Sequence, residues 1–510
     1  MNGWKQAAVP IATFLPALGA LVIAAVPRRA EGLGRGLGML FSGAALAVGI
    51  AILPGFDFGS QAPLQFELDT KWITAIGARF HMGLDGISLP LFELTLLLSF
   101  LCAIYTWRTV PPPGNSKAFL SLILLLETGM AGTFVAFDLV LFFVFWELVL
   151  IPMYFIIGIW GSGRREYAAI KFFLFTLIGS LMMLLSFLGM FFFSHPHTFD
   201  ILKLQQFGAG GGFSHGLQLL MFTGAFLGFA VKVPMWPFHT WLPDAHTEAP
   251  TVGSVLLAGI LLKMGGYGFI RIAFPILPEA ARDWAPWIAI LGTVAIVYAA
   301  LACLAQRDLK RLIAFSSVGH MGFVMLGIAT MTTLGVNAAI FAMVAHGLIT
   351  GMLFFEVGSI YDRYHTRLIS EIGGGLQRIT PHLAAALWLT AIASLGLPGL
   401  AGFWGDVLAL LAAFNPGPGL SVGLYRTLMV FGGIGTILTA GYFLWTVQRV
   451  NLGVVPDRWR QAGLGDMLAT EWIAWSPLLA GIVLLGVVPA LVFGVTNDAV
   501  TPIVRLFGGS

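Results

Sequence analysis

The sequence predicts an all-α polytopic membrane protein of about fourteen spanning helices. Three observations carry that prediction. Of 510 residues, 58% are hydrophobic and only 10% are charged. Mean hydropathy is +0.89. The apolar residues fall in runs of about 20, the length needed to cross a hydrocarbon core. Soluble domains carry about 25% charged residues, so this composition excludes them. A net charge of +3, small and scattered, argues against nucleic acid. The two cysteines, Cys102 and Cys303, lie in separate apolar runs without a CxxC pair. That argues against iron–sulfur clusters and structural zinc. No GxGxxG or P-loop occurs in a strand–helix setting, so nucleotide chemistry is not expected. The first run lacks a charged leader and a small-residue cleavage site, and reads as an uncleaved helix.

The runs in order are 8–26, 36–53 and 87–107, a tight pair at 118–135 and 139–160, then 168–193. The seventh, 217–238, ends in a break at Pro234 and Pro237. Pro234 frees the carbonyl of Ala230 and Pro237 that of Val233, because proline has no N–H. The eighth, 252–271, carries Lys263, and 286–305, 309–329 and 335–361 follow. The twelfth, 382–414, is too long for one straight span and is interrupted at Pro398-Gly399. The last two are 427–447 and 473–493, and no long lateral helix is expected after them.

Basic residues follow the odd-numbered spans. They are Arg28, Arg29 and Arg35; Arg108 and Lys117; Arg164, Arg165 and Lys171; Arg307, Lys310 and Arg311; Arg363, Arg367 and Arg378; and Arg449, Arg458 and Arg460. Positive loops stay in the cytoplasm, so both termini are expected outside. The breaks in spans seven and twelve lie five spans apart, an odd offset that inverts the second unit against the first. Four segments result: 1–112 with three spans, 113–275 and 284–450 as inverted five-span units, and 451–510 with the last span.

A charge at the bilayer centre costs about 2.5–3.5 kcal/mol, so such residues mark a pathway. Glu147, Lys263, His320 and His346 sit near the middle of spans five, eight, ten and eleven, while Lys232 and Asp406 adjoin the two breaks. Each has a plain structural reading. Glu147 and Lys232 form an ion pair, the histidines are hydrogen-bonded core groups, and Asp406 caps a half-helix. Together they point to a polar line in the membrane plane that carries protons or cations, since one salt bridge does not need six partners. Lys232 is expected to hand its proton toward Lys263 when Glu147 loses its charge or moves. The loop after Lys232 holds His239, Asp244, His246 and Glu248. Its prolines suit a loop-ordering role for His239, Asp244 and His246 better than a zinc site. His195 and His197 carry no special expectation. The sequence holds no redox or nucleotide site, so a driving reaction has to come from another subunit.

Several stretches resemble the antiporter-like membrane subunits of respiratory complex I, and among them subunit M. They are FWELVLIPMYFIIG (145–158), YAAIKFFLFT (167–176), KVPMWPFHTWLPDAHTEAPTVGSVLLAGILLKMGGYG (232–268), LKRLIAFSSVGHMGF (309–323) and the helix holding Ala345-His346-Gly347. The resemblance implies fourteen core helices in two inverted repeats, and proton translocation driven by quinone reduction elsewhere. Glu147 and Lys232 then correspond to the family's Glu–Lys pair, Lys263 to its central lysine, and His320 and His346 to its connecting histidines. Asp406 falls where subunit M usually carries glutamate; the shorter acid keeps the charge and loses reach. The acid there, and the lack of a lateral helix, favour M over subunit L. By the same resemblance this chain carries no cofactor. Flavin, iron–sulfur clusters and quinone belong to partner subunits, and L-type and N-type antiporter-like chains are its neighbours in a bacterial inner membrane. The alternatives are the D-type member of multisubunit Na⁺/H⁺ antiporters, the equivalent chain of ferredoxin- or hydrogenase-linked complexes, and a scaffold with a dead channel.

Overall fold

The computed structural model describes residues 3–27, 30–59, 62–108 and 110–508. Arg28 and Arg29, two of the charges used for orientation, lie outside the described residues. Among the described residues, twelve helices are long and apolar enough to cross a membrane. They match the expected spans one to six, eight to eleven, thirteen and fourteen. The two missing from that set are spans seven and twelve, which the sequence marks as broken. Span seven is His215–Lys232 followed by a short helix, Trp241–Glu248. Span twelve is Pro381–Ser394 followed by Ala401–Phe414. The stretch read as a polar loop after Lys232 is therefore a turn through His239 followed by helix over Trp241–Glu248, which carries Asp244, His246 and Glu248.

Burial ranks the spans. Span eight, Thr251–Ile276, and span eleven, Thr333–Tyr364, are buried over the whole of their most apolar stretch, against 28% for span two, Glu31–Gly55. Spans eight and eleven form the axis, and they carry Lys263 and His346. Gly347 explains how closely they approach. A Cβ there would lie 2.9 Å from the backbone carbonyl of Gly259 across the interface. Only glycine admits that contact.

Spans five and ten, Leu139–Trp160 and Leu309–Ala329, start the same way. Asp138 accepts from the N–H groups of Val140 and Leu141, and Asp308 accepts from that of Arg311. Aspartate at the N-cap satisfies donors that the first turn leaves free. Each aspartate also makes an isolated backbone bridge, Asp138 to Asp200 and Asp308 to Leu368. These caps, like the breaks, recur five spans apart.

Two features depart from the expectation. Residues 65–84 form an antiparallel hairpin of β1, Gln65–Ile73, and β2, Ala78–Leu84. The alternation of polar and apolar residues in QFELDTKWI carries a strand period of two, on a stretch too polar to span. The last span ends at Val487, and Pro489 starts a further helix, Ala490–Arg505. That helix folds back on span eleven: Phe493 stacks on Phe341, and Asn337 bonds Asn497 and Thr496.

The hairpin is clasped by His81. Its Nε2 lies 2.9 Å from Glu67 Oε1 and its Nδ1 lies 3.1 Å from Asp200 Oδ2, with His81 and Asp200 both buried. Burial alone pushes His81 down, but the hydrogen bond and charge of Asp200 outweigh it and hold His81 above its ordinary value. Burial pushes Asp200 up, and the His81 bond outweighs that, holding it below the usual carboxylate range. The clasp is strongest between those two values. A raised histidine contributes fully below its unfolded value of about 6.5 and loses its contribution as pH rises through the folded value. Amide exchange of the hairpin, corrected for intrinsic rates, is expected to show its opening free energy falling on the order of 1 kcal/mol across that rise. His81→Gln is expected to abolish this pH dependence.

Candidate functional site

The break in span seven is built from local bonding. The Ala230 carbonyl freed by Pro234 accepts from the N–H of Met235 at 2.9 Å. The indole N–H of Trp241, fully buried, donates to the Val231 carbonyl at 3.0 Å. A side chain of the second half thus replaces a helix bond of the first. Lys232 ends the first half, buried, with Nζ 5.0 Å from the centre of the Trp146 ring. A cation over an indole face is stabilised by the ring quadrupole.

Glu147 follows Trp146 directly. Span five is interrupted at Val149, because Pro152 leaves the Leu148 carbonyl without its helical donor. Glu147 is half-buried, Oε1 has no hydrogen-bond partner, and the groups that act on it are Ser180 and Lys232. No direct Glu147–Lys232 ion pair forms among the described residues; each charge faces the other without contact. The structural ion pair weighed from sequence is therefore not formed among the described residues.

Lys263 lies near the middle of span eight, fully buried. The helix is widened by π-type turns at Leu257–Leu261 and Phe269–Ala273, on either side of it. Such bulges expose carbonyls that a regular helix would hide. The amine donates to the carbonyl of Ala258 and contacts His346 Nδ1 at 2.6 Å. No carboxylate pairs with it among the described residues. The His346 and His320 rings lie 5.6 Å apart between centres. His320 Nε2 contacts Ser394 Oγ at 3.1 Å, and Nδ1 lies 3.4 Å from Asp406 Oδ2. His320, His346, Ser394 and Asp406 line one narrow cavity, with room for about a single water. Four of the six expected residues therefore form one row: Lys263, His346, His320, Asp406. Glu147 and Lys232 form a separate pair. No hydrogen bond or ion pair joins that pair to the row among the described residues.

Asp406 does not cap its half-helix. Ala401–Phe414 begins after Leu400, and Asp406 sits inside it, buried and turned to the cavity. The break before it turns on Gly399, whose φ of +90° is a conformation side chains rarely adopt. Trp404 donates its indole N–H to the Gly486 carbonyl at 2.8 Å and fixes this half to the last span.

The expected loop-ordering residues differ in what they do. Asp244 ties elements together, through Lys171 at 2.6 Å and Arg311 at 3.8 Å. His239 packs edge-on against Tyr298, and its Nδ1 has no partner. His246 is fully buried, stacks on Phe354 at 4.6 Å, and has both ring nitrogens unpartnered. His246 holds the segment through packing and its backbone carbonyl, which accepts from Ser254 Oγ.

Two further buried acids escape a reading by breaks and motifs. Glu127 in span four, Ser116–Val135, has both carboxyl oxygens unpartnered. Glu356 in span eleven is fully buried, with one oxygen unpartnered. An acid inside an apolar run is the only sequence signal for either.

A family model described as "NADH:quinone oxidoreductase/Mrp antiporter, TM" matches residues 136–432, which hold both breaks and every residue of the row and the pair. The chain is 41% identical to the NADH-quinone oxidoreductase subunit M of Rhodobacter capsulatus, over 98% of this chain and 97% of that one. A chain of the structure of respiratory complex I from Thermus thermophilus with bound NADH superposes with a TM-score of 0.86 at 30% identity, covering 98% of this chain and 100% of that one. A chain of the Mrp complex from Dietzia sp. shares the fold, with a TM-score of 0.82 at 22% identity over 98% of this chain and 52% of that one. The chain belongs to the antiporter-like membrane subunits of NADH:quinone oxidoreductase and Mrp antiporters, and its full-length likeness is to subunit M of the oxidoreductase.

The break at span seven makes a direct expectation. Trp241→Phe leaves the buried Val231 carbonyl without a donor, a loss of about 1–3 kcal/mol. Amide exchange across 229–242 in the purified complex is expected to rise by on the order of tenfold or more, while the row at Lys263 keeps its protection.

Proposed function

We propose that this chain is the proton-translocating M-type subunit of a complex I-type NADH:quinone oxidoreductase, moving protons through a buried Glu/Lys/His/Asp line. The observation that carries this reading is the row Lys263–His346–His320–Asp406, enclosed by spans eight, ten, eleven and twelve. A row of such groups has no structural purpose that one ion pair would not serve at lower cost.

The chemistry is acid–base transfer without bond making among heavy atoms. Lys263 donates to His346 Nδ1; imidazole takes a proton on one nitrogen and releases one from the other, so His346 and His320 pass it on to Asp406. The Glu147–Lys232 pair sets the field at the other end. When the two charges close on each other, Lys232 holds its proton; when they part, a desolvated ammonium favours release toward Lys263. In this reading the inverted units are 113–275 and 284–450, and the repeated breaks and aspartate caps support them. The positive loops face the cytoplasm, both termini face outward, and the membrane is a bacterial inner membrane. No cofactor is held by this chain; flavin, iron–sulfur clusters and quinone sit in partners, and L-type and N-type chains flank it. The Mrp likeness keeps cation/proton antiport as the second reading, supported by fold alone.

In assembled complex in membrane vesicles, Glu147→Gln and Lys232→Ala are each expected to remove most NADH-driven proton translocation. Normal translocation in either would reduce the pair to structure. At the other end, Asp406→Glu is expected to keep translocation, and Asp406→Asn to lose at least about tenfold, since an amide cannot hold and release the proton. An active Asn variant would contradict the proton-site role.

A further inference from the structure

Glu356 lies ten residues beyond His346 on span eleven, fully enclosed. No lysine, arginine or histidine comes within ion-pair distance of it among the described residues. Its Oε1 lies 2.8 Å from Thr390 Oγ1 on the first half of span twelve, and its Oε2 has no partner. Thr390 Oγ1 also lies 2.9 Å from the Ala386 carbonyl. A hydroxyl has one proton, so donation to both acceptors would be shared and weak. Both contacts are full hydrogen bonds when Thr390 donates to Ala386 and the carboxyl group donates to Thr390. Burying a bare carboxylate with no cation costs several kcal/mol, which favours the same assignment. A neutral acid is the form of Glu356 that this enclosure favours.

Its surroundings give that proton a destination. Ser394 lies one helical turn after Thr390, on the same face, and contacts His320 Nε2 at 3.1 Å. Thr350, one turn after His346, is buried with its hydroxyl unpartnered. On the other side of Glu356, Ser359 bonds Glu471 Oε1 at 2.5 Å, and Arg363 pairs with Glu471 at 2.7 Å. Glu356 thus sits between this polar cluster at the end of span eleven and the cavity at His320.

We propose that Glu356 is a proton-holding acid that supplies His320 through Thr390 and Ser394, a branch that joins the row without passing Lys263. Thr390 turns its own proton from the Ala386 carbonyl toward Ser394 and gives it up as the proton on Glu356 passes to its Oγ1. The branch requires one bridging water between Thr390 and Ser394, which are one helical turn apart. Ser394 passes a proton to His320 Nε2, and His320 releases one from Nδ1 to Asp406. Each hydroxyl gains and loses one proton, and Glu356 is left as a carboxylate that takes its next proton from the Ser359 side.

The proposal rests on the proton-translocating reading, and the test separates the two. In assembled complex, Glu356→Gln keeps the shape and loses the transferable proton, so NADH-driven proton translocation is expected to fall several-fold. Glu356→Asp and Thr390→Ser are expected to keep most of it, and Thr390→Val to lose it. Infrared difference spectra of wild type against Glu356→Gln are expected to show the carbonyl stretch of a protonated carboxyl group. A carboxylate stretch there overturns the proposal. Full translocation by Glu356→Gln, beside a dead Glu147→Gln, overturns the branch and leaves the row standing. If Glu356→Gln and His346→Leu both translocate normally in assembled complex, the proton-translocating reading of this chain falls and the branch with it.

Discussion

Lys263 is an amine enclosed by protein with no carboxylate paired to it among the described residues, and the rest of the structure answers that constraint. It is held by two neutral acceptors, His346 and the Ala258 carbonyl. Both need unusual backbone. The Ala258 carbonyl comes from a π-type turn, and His346 comes close because Gly347 lets span eleven press on span eight. A lysine balanced by a carboxylate would hold its proton firmly. One balanced by an imidazole and a carbonyl is held only by groups that can themselves exchange or yield.

The same economy governs the breaks. Each opens a helix beside an ionisable group and is steadied by a tryptophan: Trp241 closes the first break on Val231, and Trp404 pins the half-helix after the second to Gly486 of the last span. Backbone freed by proline or glycine is tolerated at depth only when protein satisfies it. Trp241 supplies that satisfaction at span seven, and Asp406 sits inside its half-helix, free of cap duty. The hairpin and the tie from Asp244 to Lys171 and Arg311 lie away from the row, and fix elements without entering it.

Much of this was legible in the sequence, for physical reasons. A span must be apolar over about 20 residues, so the runs mark themselves. Mid-run charges are rare, so Glu147, Lys263, His320 and His346 stand out, and Pro234 and Pro398-Gly399 mark the breaks. Contact was not legible. Sequence places six groups at one depth but does not say that Lys263 touches His346 while Lys232 stands apart from Glu147. The π-type turns at Leu257–Leu261 and Phe269–Ala273 keep the apolar pattern of ordinary helix. Glu127 and Glu356 lie beside no break, and what distinguishes them is enclosure. The helix Ala490–Arg505 was hidden because its first residues continue the apolar run of the last span.

The central claim is that the row from Lys263 to Asp406 is the conducting element. His346→Leu removes the link between Lys263 and His320 and leaves Lys263, His320 and Asp406 in place. The measurement is the rate of NADH-driven proton translocation by membrane vesicles, normalised to assembled complex. Loss of most of the wild-type rate is the predicted result. An unchanged rate from fully assembled complex would contradict the row as the route.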